Sequence, residues 1–226
     1  MGEGEEDGMP GRTRGWNLTN INIAGRQING GGGGRAGFFA YLCVEMRLMR
    51  NPIVWLLRVR HRNGYGVHSP FAFDFVTNVL YNGESYYAYK DMDGALHWWQ
   101  RGRVRSLRRL LFRLANYRRP RTLCCYGVDE ETVMALHRGC LGMRNLGVWD
   151  EGRGVADMIV TGEKDDSALR YLGEGSMVVL WNLRGQRRLW QRLQEDGRVT
   201  VTFDLYDVGV AFARRDLNRQ HYIINW

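Results

Sequence analysis

The stretch Val199-Thr200-Val201-Thr202-Phe203-Asp204-Leu205-Tyr206-Asp207-Val208-Gly209-Val210-Ala211-Phe212-Ala213 holds two apolar, β-rich runs with only Asp207 between them. Runs so close in sequence leave no room for a crossover, so they pair as an antiparallel hairpin. Upstream the spacing is different. Apolar runs at Thr122 to Gly127, Asn145 to Trp149, Val155 to Thr161 and Ser176 to Trp181 are separated by helix candidates at Asp129 to Arg138, Lys164 to Leu172 and Gln186 to Gln194. Strands that alternate with helices predict right-handed crossovers and a mostly parallel sheet covered on both faces. The expected fold class is therefore α/β, a mostly parallel sheet with the Val199 to Ala213 hairpin at one edge.

Working outward, Asp91 to Tyr117 is helical, with Leu107, Leu110, Leu111 and Leu114 forming an i, i+3, i+4, i+7 face. Arginines occupy its other faces, and Pro120 closes it. Before it, Ser69 is placed to cap a helix whose first turn opens with Pro70 and whose stripe is Phe71, Phe75 and Val79. Phe38 to Arg60 reads as a basic, helical or partly helical segment rich in Leu and Met, with one Trp, Trp55. Residues 1-36 start acidic and end in the unbroken glycine run Gly30 to Gly34, too poor in apolar area to offset its ordering entropy. The expected organisation is thus a flexible tail at 1-36, a helical region at 37-120 and an α/β unit at 121-226, with Met46 or Met49 as alternative starts.

A formal net charge of +8 favours encounter with polyanions or anionic lipid surfaces. Much of the excess lies in one stretch, 101-121. The four cysteines, Cys43, Cys124, Cys125 and Cys140, show no CxxC pair or His/Cys ligand spacing, so no metal site is expected. Neighbours in a strand, Cys124 and Cys125 point to opposite faces, and reduced thiols packed as small hydrophobes fit a cytoplasmic protein. The apolar run from Gly37 to Val59 is broken by Glu45, Arg47, Arg50 and Pro52, so no membrane span is expected.

Three stretches carry a family resemblance. Tyr65-Gly66-Val67-His68-Ser69-Pro70-Phe71-Ala72-Phe73, with Tyr86-Tyr87-Ala88-Tyr89 after it, is similar to the amino-terminal signature of methyltransferase-like proteins of a Bacteroidetes type. Leu111-Phe112-Arg113-Leu114-Ala115-Asn116-Tyr117 resembles the segment that runs into their first strand. The stretch from Gly197 through Val210 and Arg214-Arg215 to Gln220-His221-Tyr222 resembles their final hairpin and closing segment. On these residues the chain resembles class I S-adenosylmethionine (SAM)-dependent methyltransferases, in shortened form. The resemblance implies a Rossmann-like fold, SAM as cofactor and a methyl acceptor that the sequence does not identify.

The cofactor motif itself is degenerate. The family supplies an acid and a glycine-rich turn after the first strand, where backbone must approach the cofactor closely. Here the turn is Leu123-Cys124-Cys125-Tyr126-Gly127-Val128-Asp129-Glu130, with one glycine and a cysteine where the acid is expected. The residues that the resemblance assigns to SAM are Tyr126, Gly127 and Asp129, with Asp150 or Glu151 for the ribose hydroxyls. Asp129 has a second reading as a cap of the next helix. Thr161 and Trp181 stand where metal-assisted relatives place acids. Only about thirty residues separate Gly127 from Asp157, which leaves one βα unit missing. The five histidines form no catalytic pair, so no catalytic residue is assigned.

Three functions follow. The first is a methyltransferase-like protein whose activity, and whose SAM binding, the degenerate turn leaves open, down to a pseudoenzyme. The second is an active methyltransferase. The third is a basic nucleic-acid binder that uses the arginine-rich helix 101-121 for nonspecific phosphate contacts.

Overall fold

The computed structural model describes residues 56–58, 67–94, 102–146, 154–163 and 166–226. Ser69 caps α1 (Pro70–Phe75) through its side chain, which accepts from the Ala72 amide, and the helix runs on as a π-helical turn, Val76–Leu80. After α2 (Tyr87–Gly94) comes α3 (Arg103–Arg118), so the single helix expected from Asp91 is two. Arg119, left-handed at φ 47°, ends α3 by donating its amide to the Ala115 carbonyl. Then follow β1 (Thr122–Tyr126), α4 (Glu130–Gly139), β2 (Arg144–Leu146), β3 (Met158–Thr161), β4 (Met177–Trp181), α5 (Arg187–Glu195), β5 (Val201–Asp204), β6 (Val208–Phe212) and β7 (Gln220–Ile223). The helix expected from Lys164 is, in its described part, a 3-10 turn, Ser167–Tyr171.

The seven strands lie in the order β2-β1-β3-β4-β6-β5-β7. β2, β1, β3 and β4 are mutually parallel, β6 runs antiparallel to β4 and β5, and β7 is parallel to β5. This is the Rossmann-like sheet closed by an antiparallel hairpin that the alternation implied. One placement differs. The hairpin does not form the edge, because the closing segment adds β7 outside β5 and takes up its open hydrogen-bonding side. The turn is also longer than one residue: Asp204 Oδ1 accepts from the Tyr206 amide, and Tyr206 itself sits at φ 79°.

Strand alternation divides the core into two layers. On one face Leu123, Met158, Val160, Met177, Val179 and Phe203 pack against α1 to α4. On the other, Cys124, Tyr126, Ile159, Val178 and Leu180 pack against the 3-10 turns and α5, whose Leu189, Trp190 and Leu193 turn inward. Cys124 and Cys125 do face opposite sides. Asp157 joins the strands at their starts: its Oδ2 accepts from the Arg121 and Thr122 amides at 2.8 and 3.1 Å, while its own amide donates to Thr122 Oγ1 at 2.9 Å.

The arginines on the other faces of α3 are largely engaged within the fold. Arg108 and Arg113 are buried. Arg103 pairs with Asp207 at 2.8 Å, Arg105 and Arg109 share Asp93, Arg108 pairs with Glu131, and Arg118 reaches Asp157 and the Gly175 carbonyl. α3 is crossed by other elements on several sides, so its charged side chains span gaps between them with their apolar stems packed.

Candidate functional site

β1 leads through α4 to β2 on one side, and β3 leads to β4 on the other. The strand order therefore reverses between β1 and β3, and outside the carboxyl ends of the strands at such a point α/β proteins bind their ligands. Here that position is formed by Tyr126-Gly127 from β1 and Thr161-Gly162-Glu163 from β3.

The two exits are pressed together. The Gly162 amide donates to the Tyr126 carbonyl at 2.7 Å. A methyl group at Gly162 would stand 2.2 Å from the Gly127 carbonyl oxygen, and one at Gly127 would stand 2.1 Å from Glu163 Cγ. Gly127 lies at φ +58°, a left-handed conformation that favours glycine. The space above the β1 turn, where backbone would have to approach a cofactor, is filled by Glu163 and by the backbone of the β3 exit. Glu163 is held there in part by its own amide, which donates to Thr161 Oγ1 at 3.3 Å.

The other assigned residues are distributed differently. Tyr126 turns away from the crevice into the α5 layer, with its ring 6.4 Å from that of Tyr171. Burial raises its phenol pKa, and neighbouring Tyr171 and Cys124 add to the shift. Asp129 caps α4, Oδ1 accepting from the Thr132 amide at 2.6 Å, so its carboxylate is engaged by the helix. Asp150 and Glu151 lie outside the described residues. Thr161 and Trp181 end β3 and β4 as the sequence placed them, with Thr161 fully buried. Among the described residues no group of three His, Cys, Asp or Glu side chains gathers to ligate a metal.

The cysteines beside the turn are chemically quiet. Burial pushes the Cys124 thiol from 9.0 up to about 12 and raises Cys125 as well. A raised native pKa stabilises the fold fully below the unfolded value and less as pH rises past it, because only the unfolded chain then releases the proton. Stability should therefore fall from pH 9 upward, by at most about 1.4 kcal/mol per pH unit for each such thiol. Urea midpoints across this range test it. In Cys124→Ala the slope should be shallower; an unchanged slope would remove Cys124 from the account.

Sequence reasoning missed one polar group, the Thr202 hydroxyl, buried within β5. His221 Nδ1 lies 2.8 Å from it and Gln194 Nε2 donates to it at 3.3 Å. Burial, with Arg219 nearby, lowers the His221 pKa. The only sequence signal was a threonine in an otherwise apolar run, which is ordinary in strands.

No protein-family model matches the chain, and neither does any curated protein. Among solved structures it is similar to the O-methyltransferase TomG from Streptomyces achromogenes, involved in tomaymycin synthesis and in complex with SAM. Identity there is 16%, covering 58% of this chain and 91% of that one, with a TM-score of 0.42. It is also similar to the SAH-bound Podospora anserina methyltransferase PaMTH1, at 10% identity over 56% of this chain and 86% of that one, with a TM-score of 0.40.

Proposed function

We propose that the chain is a methyltransferase-like α/β protein that does not hold SAM and serves as a scaffold without methyl transfer. One observation carries this reading: the crevice at the strand-order reversal is closed by Gly162 against Gly127 and by Glu163 across Gly127. A cofactor of this size needs several backbone and side-chain partners there. The residues present do not fit it, since Tyr126 faces the opposite layer and Asp129 is committed to α4. Each lost buried partner costs about 1 to 3 kcal/mol, and two or three such losses take a micromolar site to the millimolar range.

Calorimetric titration of the full chain with SAM and with S-adenosylhomocysteine tests the proposal. The expected result is no saturation below about 1 mM, equivalent to a binding free energy weaker than about −4 kcal/mol. A dissociation constant at or below roughly 10 μM for either ligand would restore the active methyltransferase. The nucleic-acid reading draws less support, because Arg103, Arg105, Arg108, Arg109, Arg113 and Arg118 are all engaged within the fold.

A further inference from the structure

Exposed positive charge also lies outside the arginine-rich helix. Arg187 and Arg188 open α5 at the carboxyl end of β4. Both are exposed, neither has an ion-pair partner among the described residues, and no acid stands in the first turn of that helix. Arg184, just before them, lies over the Tyr206 ring at 4.8 Å, and Arg58 lies over the same ring at 5.2 Å. Two guanidinium groups on one ring are within about 10 Å of each other. Arg58 is held by both oxygens of Asp204, at 2.9 and 3.1 Å, which fixes the chain just before it to this end of the sheet. That chain is Leu56-Leu57, and the two leucines are 64% and 74% exposed.

We infer that this end of the sheet, the exposed Leu56 and Leu57 with Arg187 and Arg188, is a docking surface for an anionic lipid bilayer. Charge alone would suit any polyanion. The adjacent leucines decide between them, because a phosphate backbone offers no apolar phase for aliphatic side chains, whereas a bilayer interface takes apolar groups and attracts arginine together. Leu56 to Arg58 also belongs to the basic, Leu-rich run 38-60, which carries Trp55. Among the described residues no helix is long and apolar enough to cross a membrane.

Sedimentation of the full chain with vesicles provides the test. Wild type should partition onto phosphatidylserine-containing vesicles and not onto pure phosphatidylcholine, and should be released by salt. At about fivefold per basic side chain, Arg187→Glu with Arg188→Glu should weaken binding by roughly 25-fold or more. Leu56→Ser with Leu57→Ser changes no charge and should still weaken it by about tenfold. All four side chains are exposed, and thermal melts of each variant verify that the fold is kept. Absence of wild-type partitioning onto the anionic vesicles would overturn the inference. So would a leucine variant that binds them as wild type does, and duplex DNA bound as tightly as the vesicles would assign the patch to nucleic acid.

Discussion

Arg113→Met is expected to lose about 2 to 4 kcal/mol of folding stability, although the substitution removes a charge and keeps a long apolar stem. Arg113 leaves the buried face of α3 and donates Nε to the Val79 carbonyl at 2.7 Å, one terminal nitrogen to the Leu80 carbonyl at 3.1 Å and the other to the Tyr89 hydroxyl at 3.3 Å. Val79 and Leu80 end the π-helical turn, where carbonyls have no partner within the helix and carry its negative dipole end. The guanidinium therefore caps a helix terminus from the side while buried itself. A buried ion pair can often be exchanged for hydrophobes with little loss because both charges leave together. Here the acceptors are backbone and stay behind. Leu80 keeps a donor, the Trp226 indole at 2.6 Å, but Val79 keeps no side-chain donor among the described residues. Arg113→Lys should lie between the two, since one ammonium cannot span three acceptors in a fork. Urea denaturation measures the loss, with Arg119→Met, on an exposed side chain, as the near-neutral control. If Arg113→Met fell within about 1 kcal/mol of wild type, the cap would carry no weight in the fold.

That role was hidden in the sequence, and the reason is general. A leucine stripe at helical spacing marks one buried face of 103–118, and it was read correctly because apolar periodicity reports the dominant contact. Where a second element crosses the same helix, burial no longer follows the stripe. Arg108 and Arg113 are inward because α4 and the end of the π-helical turn approach from directions that no local pattern records. The strand order was legible for the opposite reason. Short apolar runs separated by helices admit few topologies, and a one-residue separation admits only a hairpin. The closing strand around Gln220-His221 was legible but not its place beside β5, because Gln220 to Ile223 alternates exposed with half-buried positions, the pattern of an edge and also of a loop. At the candidate site the sequence pointed to Gly127 and to the cap role of Asp129, both local properties. It placed Gly162 and Glu163 at a strand end, with Glu163 as a solvated helix-start acid, and their packing against Gly127 appears only when β3 is laid beside β1.

Those two exits yield the last expected result. Gly162→Ala should destabilise the protein by about 3 kcal/mol or more, because the added methyl meets the Gly127 carbonyl at 2.2 Å and backbone cannot swing aside as a side chain can. Relief requires β1 and β3 to part at their ends, which breaks the 2.7 Å bond from the Gly162 amide to the Tyr126 carbonyl. Gly127→Ala has two separable costs. Left-handed backbone at φ +58° costs an alanine about 1 to 2 kcal/mol wherever its methyl points. The clash with Glu163 Cγ adds to that and disappears when Glu163 is shortened, leaving the Glu163 backbone nitrogen at 3.0 Å. In a Glu163→Ala background, Gly127→Ala should therefore cost about 1 to 2 kcal/mol less than in wild type, whereas Gly162→Ala should cost as much as before. Equilibrium denaturation of the six proteins, read as two double-mutant cycles, measures both couplings. A strong Gly127–Glu163 coupling beside an absent Gly162–Glu163 coupling is the signature of a crevice closed by one side chain and one stretch of backbone. Gly162→Ala as stable as wild type, with both couplings near zero, would mean that the two exits stand apart in solution, and the crevice would then be open to a cofactor.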